Sequence, residues 1–82
     1  MDDEKTRFLD TLLLRLAEVY EEGKDHVVLL KDETQAEKEV LAQLRAERSI
    51  TKRRGGGWSF TDVGYEKYTT RIKALRALEK LN

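Results

Sequence analysis

Three consecutive cations followed directly by three glycines form the segment of this chain best suited to bind another molecule. The run Lys52-Arg53-Arg54 precedes the glycines at positions 55–57, and the stretch 45–54 carries five bases against one acid, a local balance of +4. Clustered cations attract anionic groups such as phosphates. Cations on a hairpin edge can also serve only to prevent aggregation. Five bases in ten residues exceed what an edge requires, so we favour contact with phosphates.

Residue types that carry catalysis or bind metals are sparse. The chain has one histidine, His26, and no cysteine, whereas metal sites need several such ligands. We find no nucleophile beside a base and no pair of carboxylates, and the glycines lack the GK[ST] ending of a P-loop. We therefore expect no enzymatic activity, no metal and no cofactor, and we interpret His26 as a polar residue at a strand edge.

The single tryptophan, Trp58, directly follows the glycines and has two interpretations. An indole on a binding surface can stack on a base or enter a minor groove. An indole on a hairpin can instead shield a neighbouring strand of its own protein, and we favour this second interpretation.

Length and composition limit the chain to one domain, residues 1–82. So short a chain buries only about 60% of its unfolded surface and has no room for a second core. Hydrophobic and charged residues each make up 39%, and the net charge is zero, which argues against a simple polycation that coats nucleic acid. No apolar run approaches the ~18 residues of a membrane span, and the acids at positions 2–4 do not suit a signal peptide. We therefore expect a soluble, cytoplasmic protein with no membrane partner.

The apolar pattern of the first third predicts a long amphipathic helix over residues 3–22. Its stripe recurs at three- and four-residue steps: Leu9, Leu12, Leu13, Leu16, Ala17 and Tyr20. Asp2 or Asp3 can cap the amino terminus, and Gly23, followed by Lys24, is a natural stop.

The next segment predicts a short strand and a second helix. Residues 26–30 are rich in β-branched side chains and read as a strand, with a single helical turn as the alternative. Thr34 and Glu37 match the capping box that opens a helix. Val40, Leu41 and Leu44 then recur at helical spacing, and the helix should run to about Arg48.

A hairpin and a last helix follow. The predicted strands are Ile50–Arg54 and Trp58–Thr61, joined by the glycines, which can adopt the positive φ that a tight turn needs. Lys52 and Arg54 should share one face of the first strand and Arg53 should take the other. Thr61 should cap a long helix whose apolar positions keep three- and four-residue steps: Tyr65, Tyr68, Ile72, Leu75, Leu78 and Leu81.

This order of elements is α+β and mostly helical, and it resembles the winged helix-turn-helix domains of small prokaryotic transcription regulators, such as the MarR-like and PadR-like groups. The similarity covers about a third of the chain, from Val40 to Tyr65. Its clearest part is Phe60-Thr61-Asp62-Val63-Gly64, which has the form of the family's Leu-Thr-x-x-Gly signature. In this form Thr61 would cap the helix and Gly64 would let its first turn pack closely.

The resemblance implies binding to duplex DNA as a transcription regulator. In that family the helix before the hairpin enters the major groove, and the wing lays cations along phosphates or inserts an arginine into a minor groove. The residues at those positions are Gln35, Lys38, Gln43, Arg45, Arg48, Lys52, Arg53 and Arg54.

Two features depart from the family pattern. Only residues 24–31 separate Gly23 from Asp32, so the supporting helix of a helix-turn-helix should be absent or reduced to one turn. The candidate recognition segment also carries acids that would repel phosphates: Glu33, Glu37, Glu39 and Glu47. We therefore expect the wing to contribute more to DNA binding than the helix.

The terminal helices carry more apolar positions than one small core should cover, which predicts a homodimer. The acids of the first helix could also face bases of the last one. The expected contact residues are Leu9, Leu13, Tyr65, Tyr68, Ile72 and Leu75.

The competing hypothesis is a winged-helix module that binds a protein and no DNA, for example a regulatory factor acting on its host's machinery. A neutral net charge and an acidic second helix suit that role, and function does not follow from fold. The placement of the cations discriminates between the two: one contiguous basic stripe favours DNA, and dispersed cations favour a protein partner.

Overall fold

The computed structural model of the chain describes residues 3–23 and 26–81. The fold is α+β and mostly helical, with one antiparallel sheet of two strands. Its elements in chain order are α1 (Asp3–Glu22), α2 (Gln35–Ala46), β1 (Ile50–Lys52), β2 (Trp58–Phe60), α3 (Asp62–Lys67) and α4 (Thr69–Leu81). None of the helices described combines the length and apolar character needed to cross a bilayer.

Helix α1 has the predicted bounds and supplies the centre of the core. Its apolar stripe turns inward, and Leu12, Leu13, Leu16 and Ala17 are fully buried. Helix α2, the sheet and α4 pack around this stripe and bury Leu41, Leu44, Ile50, Phe60 and Ile72. Asp2, predicted as a cap, and Lys24, predicted just beyond the stop, lie outside the described residues.

Helix α2 begins at the predicted capping box. The Thr34 hydroxyl accepts from the Glu37 amide at 3.1 Å, and the Glu37 carboxylate accepts from the Thr34 amide at 3.0 Å. The helix ends two residues before the predicted Arg48, in a Schellman turn: the Ser49 amide donates to Leu44 O at 2.9 Å and the Arg48 amide to Arg45 O at 3.0 Å. Arg48 therefore takes the left-handed position of that turn, with φ +63°.

The hairpin pairs Ile50 with Phe60 and Lys52 with Trp58. Both strands are shorter than predicted: β1 ends at Lys52 because the chain turns from residue 53, and β2 ends at Phe60 because Thr61 caps α3. The glycines at 55–57 have φ of +86°, +96° and +87°, as the turn requires. Arg54 belongs to that turn and not to a strand, so the predicted alternation of faces applies only up to Arg53.

The predicted strand at residues 26–30 is reduced to one bridge. Val28 exchanges two backbone hydrogen bonds with Trp58, both at 2.8 Å, and adds a short third member beside β2. Residues 26–34 contain no helical turn. The supporting helix of a helix-turn-helix is therefore absent from this described stretch, and an extended segment takes its place.

The last helix is broken at Tyr68, whereas the sequence pattern predicted one continuous helix. Tyr68 has φ −101° and ψ 8° and ends α3, and α4 begins at the next residue. The Thr69 hydroxyl donates to Tyr65 O at 2.6 Å. A threonine that bonds back to the carbonyl four residues earlier often bends a helix, and this bond lies at the break between α3 and α4.

A tight junction joins the end of α2 to the start of α3. The Thr61 hydroxyl accepts from the Gly64 amide at 3.0 Å and donates to Arg48 O at 2.6 Å. A Cβ at Gly64 would lie 2.1 Å from Ser49 O, so only glycine permits this approach. The predicted roles of Thr61 as a cap and of Gly64 in close packing are both confirmed.

The residues predicted to form a dimer contact are instead largely internal to one chain. Leu13 and Ile72 are 0% and 2% exposed and lie in the core. Leu9, Tyr65 and Tyr68 are half-buried and pack against that core, and Leu75 is half-buried in α4. Leu13 and Ile72 could therefore join a dimer contact only if the core opened, whereas the half-buried residues keep part of their surface accessible. The apolar residues that α4 leaves exposed lie nearer its end: Leu78 and Leu81.

Candidate nucleic-acid interface

An open groove of about 560 Å³ lies between α2 and the hairpin. Its apolar wall comes from Leu41 of α2 and Trp58 of β2. Three cations line it from both sides: Lys38 and Arg45 from α2, and Lys52 from β1. The groove therefore joins part of the candidate recognition helix to part of the candidate wing in one basic surface.

The indole of Trp58 is the fixed centre of this groove. The residue is only 7% exposed, and its backbone pairs with both Lys52 and Val28. Lys52 Nζ lies 5.1 Å from the centroid of the indole ring, and the Arg45 guanidinium carbon lies 5.9 Å from it. Both distances are those of cation–π contacts. Because the ring is buried under these cations, stacking on a base is not open to it.

Some cations of the described residues form ion pairs with carboxylates, and others form none. Four cations of the helices are paired: Lys5 with Glu39, Lys67 with Glu47, Arg71 with Asp10 and Arg76 with Glu21. Among the cations that form no ion pair with a described carboxylate, five lie between residues 38 and 54: Lys38, Arg45, Arg48, Lys52 and Arg54. The paired cations neutralise carboxylates of the same chain. The cations of the second group are not neutralised in this way, and their charges remain available to an anionic ligand.

The acids of α2 lie mostly away from the groove. Glu37 accepts from the Thr34 backbone as part of the capping box, Glu39 pairs with a lysine of α1, and Glu47 pairs with Lys67 of α3. Glu33, just before the helix, is the acid that lines the groove within the described part of the chain. The expected repulsion between α2 and phosphates is therefore confined largely to one carboxylate.

The pKa values of these acids follow their contacts. Burial by itself would raise the pKa of Glu47, but hydrogen bonds from Lys67 and the Tyr68 hydroxyl outweigh it and hold that pKa below its ordinary value. The hydrogen bond from Lys5 likewise lowers the pKa of Glu39. Burial and the bond to Glu47 raise the pKa of Tyr68 to about 12. Glu47 and Glu39 are thus ionised at neutral pH and carry the charges that the paired lysines neutralise.

The structure separates the predicted DNA-binding residues into distinct places. Lys38, Arg45 and Lys52 meet in the groove. Gln43 lies on the opposite side of α2, in a cleft of about 390 Å³ formed with α1 and Tyr68. Gln35 is exposed at the start of α2 and donates from its amide to Glu39.

The remaining predicted residues belong to the hairpin and the turn before it. Arg53 is half-buried on the other face of the hairpin, where its guanidinium donates to Ser59 Oγ at 3.3 Å. This confirms that Arg53 and Lys52 take opposite faces. Arg54 is exposed in the glycine turn, and Arg48 is exposed at the end of α2.

The sequence analysis did not predict that Trp58 contacts Lys52 and Arg45. Lys52 and Trp58 stand three residues before and after Gly55. Pairing that is symmetric about this glycine would have placed them opposite each other, as the structure does. The contact with Arg45 has no such local signal, because it depends on how α2 packs against the hairpin.

The described residues offer little support for a metal site. Among residues 3–23 and 26–81, no three His, Asp or Glu side chains are placed to hold a metal ion. His26 Nδ1 lies 3.2 Å from a Glu22 carboxylate oxygen at the surface.

Comparison with protein-family descriptions, with curated proteins and with solved structures finds no match for this chain.

Proposed function

We propose that this protein binds duplex DNA as a reduced winged helix and acts as a small transcriptional regulator. One observation carries the proposal: Lys38, Arg45 and Lys52, which have no carboxylate partner among the described residues, line one groove between a helix and a hairpin. DNA carries a dense row of phosphates, and such a groove offers it charges that internal pairing has not cancelled.

Helix α2 enters the major groove with the face that carries Lys38 and Arg45. A major groove about 12 Å wide admits one α-helix, and lysine and arginine contact guanine edges and phosphates there. Glu33 can accept a hydrogen bond from the amino group of a cytosine. The pairing of Glu39 and Glu47 with lysines supports this orientation, since it removes two acids from the DNA side.

The hairpin acts as the wing. Lys52 faces the same groove and contacts the phosphate backbone. Arg54 is the last side chain before three glycines, so the tip is narrow and carries one exposed cation. Such a tip suits a narrow minor groove, whose negative potential attracts arginine.

In winged helices a supporting helix braces the recognition helix and the wing. In this protein the β-bridge between Val28 and Trp58 takes over that role for α2 and the hairpin. Val28 pairs with Trp58 along the edge of β2 that does not face β1, and this pairing supports the wing. On the other side, the Tyr68 hydroxyl donates to Glu47 at 2.9 Å and ties the end of α2 to the body of the domain. These contacts keep α2 and the wing in register with each other.

Two copies bind together in this proposal, through the exposed end of α4. Leu78 and Leu81 are 57% and 82% exposed there. Pairing them would bury apolar surface and present two wings to a symmetric site. Sedimentation equilibrium should show a dimer that L78E/L81E converts to a monomer. A wild-type monomer at concentrations of about 10 μM and above would contradict this part of the proposal.

The test of DNA binding is a titration of random-sequence duplex DNA at several salt concentrations. Contact with three or four phosphates predicts a log–log salt slope of about −3, at about −0.9 per phosphate. Replacing Lys52 and Arg54 with alanine should flatten the slope by about 1.8 and weaken binding to all sequences alike. Arg7 and Lys73 are exposed on α1 and α4, and their double alanine variant is the control with the same loss of charge.

Three results would refute the proposal. They are a wild-type protein that does not bind DNA at low salt, a wing variant that binds as tightly as wild type, and equal losses in the wing and control variants. Any of them would favour a protein-binding module instead.

A further inference from the structure

The indole of Trp58 faces two cations that come from different elements. Lys52 lies directly across the sheet from it, and Arg45 reaches it from α2. We propose that Trp58 is the positioning residue of the DNA-binding groove, which holds Lys52 and Arg45 ready for phosphates. This inference rests on the proposed function and identifies the side chain that organises its binding surface.

The chemistry of the ring explains why a tryptophan suits this task. A carboxylate would also hold a lysine or arginine, but it would cancel the charge that a phosphate must meet. The face of an indole attracts a cation through its quadrupole and leaves the full positive charge in place. Long cationic side chains lose much rotamer freedom when they bind a ligand. Contact with the ring already restricts them in the free protein, so the entropy cost of binding is smaller.

The ring can act in this way because the fold keeps it still. Trp58 is 7% exposed, and its backbone bonds to Val28 on one side and pairs with Lys52 on the other. Arg45 comes from α2, so the same ring sets the distance between a cation of the helix and a cation of the wing. A ring held this firmly aligns the two halves of the interface with each other.

The first experiment examines the free protein. An aromatic ring shifts the NMR signals of protons above its face upfield, so the terminal methylene protons of Lys52 should be shifted upfield in the wild type. The shift should persist in part in Trp58→Phe and disappear in Trp58→Leu. Unshifted Lys52 signals in the wild type would overturn the inference.

The second experiment is a double-mutant cycle on DNA affinity. Trp58→Leu should weaken binding by about 2- to 5-fold for each cation that it releases, from the usual strength of exposed cation–π contacts. Lys52→Ala should then cost less in the Trp58→Leu background than in the wild type, because that background has already lost the positioning of Lys52. Ile50→Val is the matched control: it perturbs the core beneath the same hairpin, and its effect should add to that of Lys52→Ala.

The outcomes separate this inference from the function on which it rests. Wild-type protein that does not bind DNA would overturn both. Intact DNA binding with additive effects of Trp58→Leu and Lys52→Ala would overturn the positioning role alone. Circular dichroism confirms that each variant is folded, and if Trp58→Leu does not fold, Trp58→Phe takes its place in the cycle with a smaller coupling expected.

Discussion

Arg48 occupies a backbone position that favours glycine, and glycine there should give a more stable protein than alanine. Its φ of +63° places it in the left-handed region, at the position of the Schellman turn where glycine is the usual residue. The turn itself is well formed, since both of its backbone hydrogen bonds are present at 2.9 and 3.0 Å. The strain therefore comes from the Cβ of Arg48 and not from a missing bond.

The size of the effect follows from two opposing contributions. A residue with a Cβ costs about 1–2 kcal/mol in the left-handed conformation. Glycine has more freedom in the unfolded chain, which returns about 0.4–1 kcal/mol of that gain. Arg48→Gly should thus be more stable than Arg48→Ala by about 0.5–1 kcal/mol, or about 2–8 °C in Tm for a domain of this size.

Arg48→Ala is the matched control because it removes the same charge and keeps the Cβ. Both variants lose any favourable contact between the guanidinium and the end of α2, so their difference reports the backbone alone. Urea unfolding followed by circular dichroism measures it, with equal m values required for the comparison. If Arg48→Ala is as stable as Arg48→Gly, the assignment of strain to this turn is wrong.

The same pair of variants separates folding from DNA binding. If Arg48 contacts a phosphate, both variants should lose about 0.9 from the salt slope while they differ in stability. Equal slopes in the wild type and in both variants would remove Arg48 from the proposed interface and leave the stability argument intact.

Two further predictions concern the junction behind α2. Gly64→Ala should destabilise the fold by at least about 2 kcal/mol, because the new Cβ would meet backbone atoms of Ser49 that cannot move aside; Val63→Ala, at an exposed neighbour, should change the free energy of unfolding by no more than about 0.5 kcal/mol. The folded-state pKa of Glu47 lies below its unfolded value of 4.5, so its stabilising contribution is present above about pH 5 and is lost as the pH falls through the folded-state pKa. Melting temperatures between about pH 3 and 7 should therefore fall less steeply toward acid in Glu47→Gln than in the wild type, and parallel curves would contradict this assignment.

The sequence alone was sufficient wherever the signal is local. The apolar stripe, the acids at the start and the glycine at position 23 together predicted a helix over residues 3–22, and α1 has these bounds. Thr34 and Thr61 were recognisable as caps from their residue type and position, and in the structure each hydroxyl accepts from an amide three residues ahead. The glycine turn required positive φ, and the structure has it at all three positions.

The break at Tyr68 shows how a regular apolar pattern can be interrupted in the structure. The apolar spacing of the last helix continues through this residue without interruption, and the pattern therefore predicted one helix. Thr69 is a local cue in the sequence, and in the structure its hydroxyl donates to Tyr65 O. The Tyr68 hydroxyl also donates to Glu47, which lies far away in sequence. Apolar periodicity cannot predict such a long-range contact.

The candidate site was divided in the same way between sequence and tertiary structure. The sequence showed a basic stretch, but it also showed acids in and beside α2. Only the structure shows that Glu39 pairs with a lysine of α1 and Glu47 with a lysine of α3. Packing likewise brought Arg45 and Lys52 close to one indole, at 5.9 and 5.1 Å from its centroid. Sequence determines which charges a chain carries; their partners depend on which helix faces meet, because an ion pair or a cation–π contact forms only between side chains that the fold has already brought within a few ångströms.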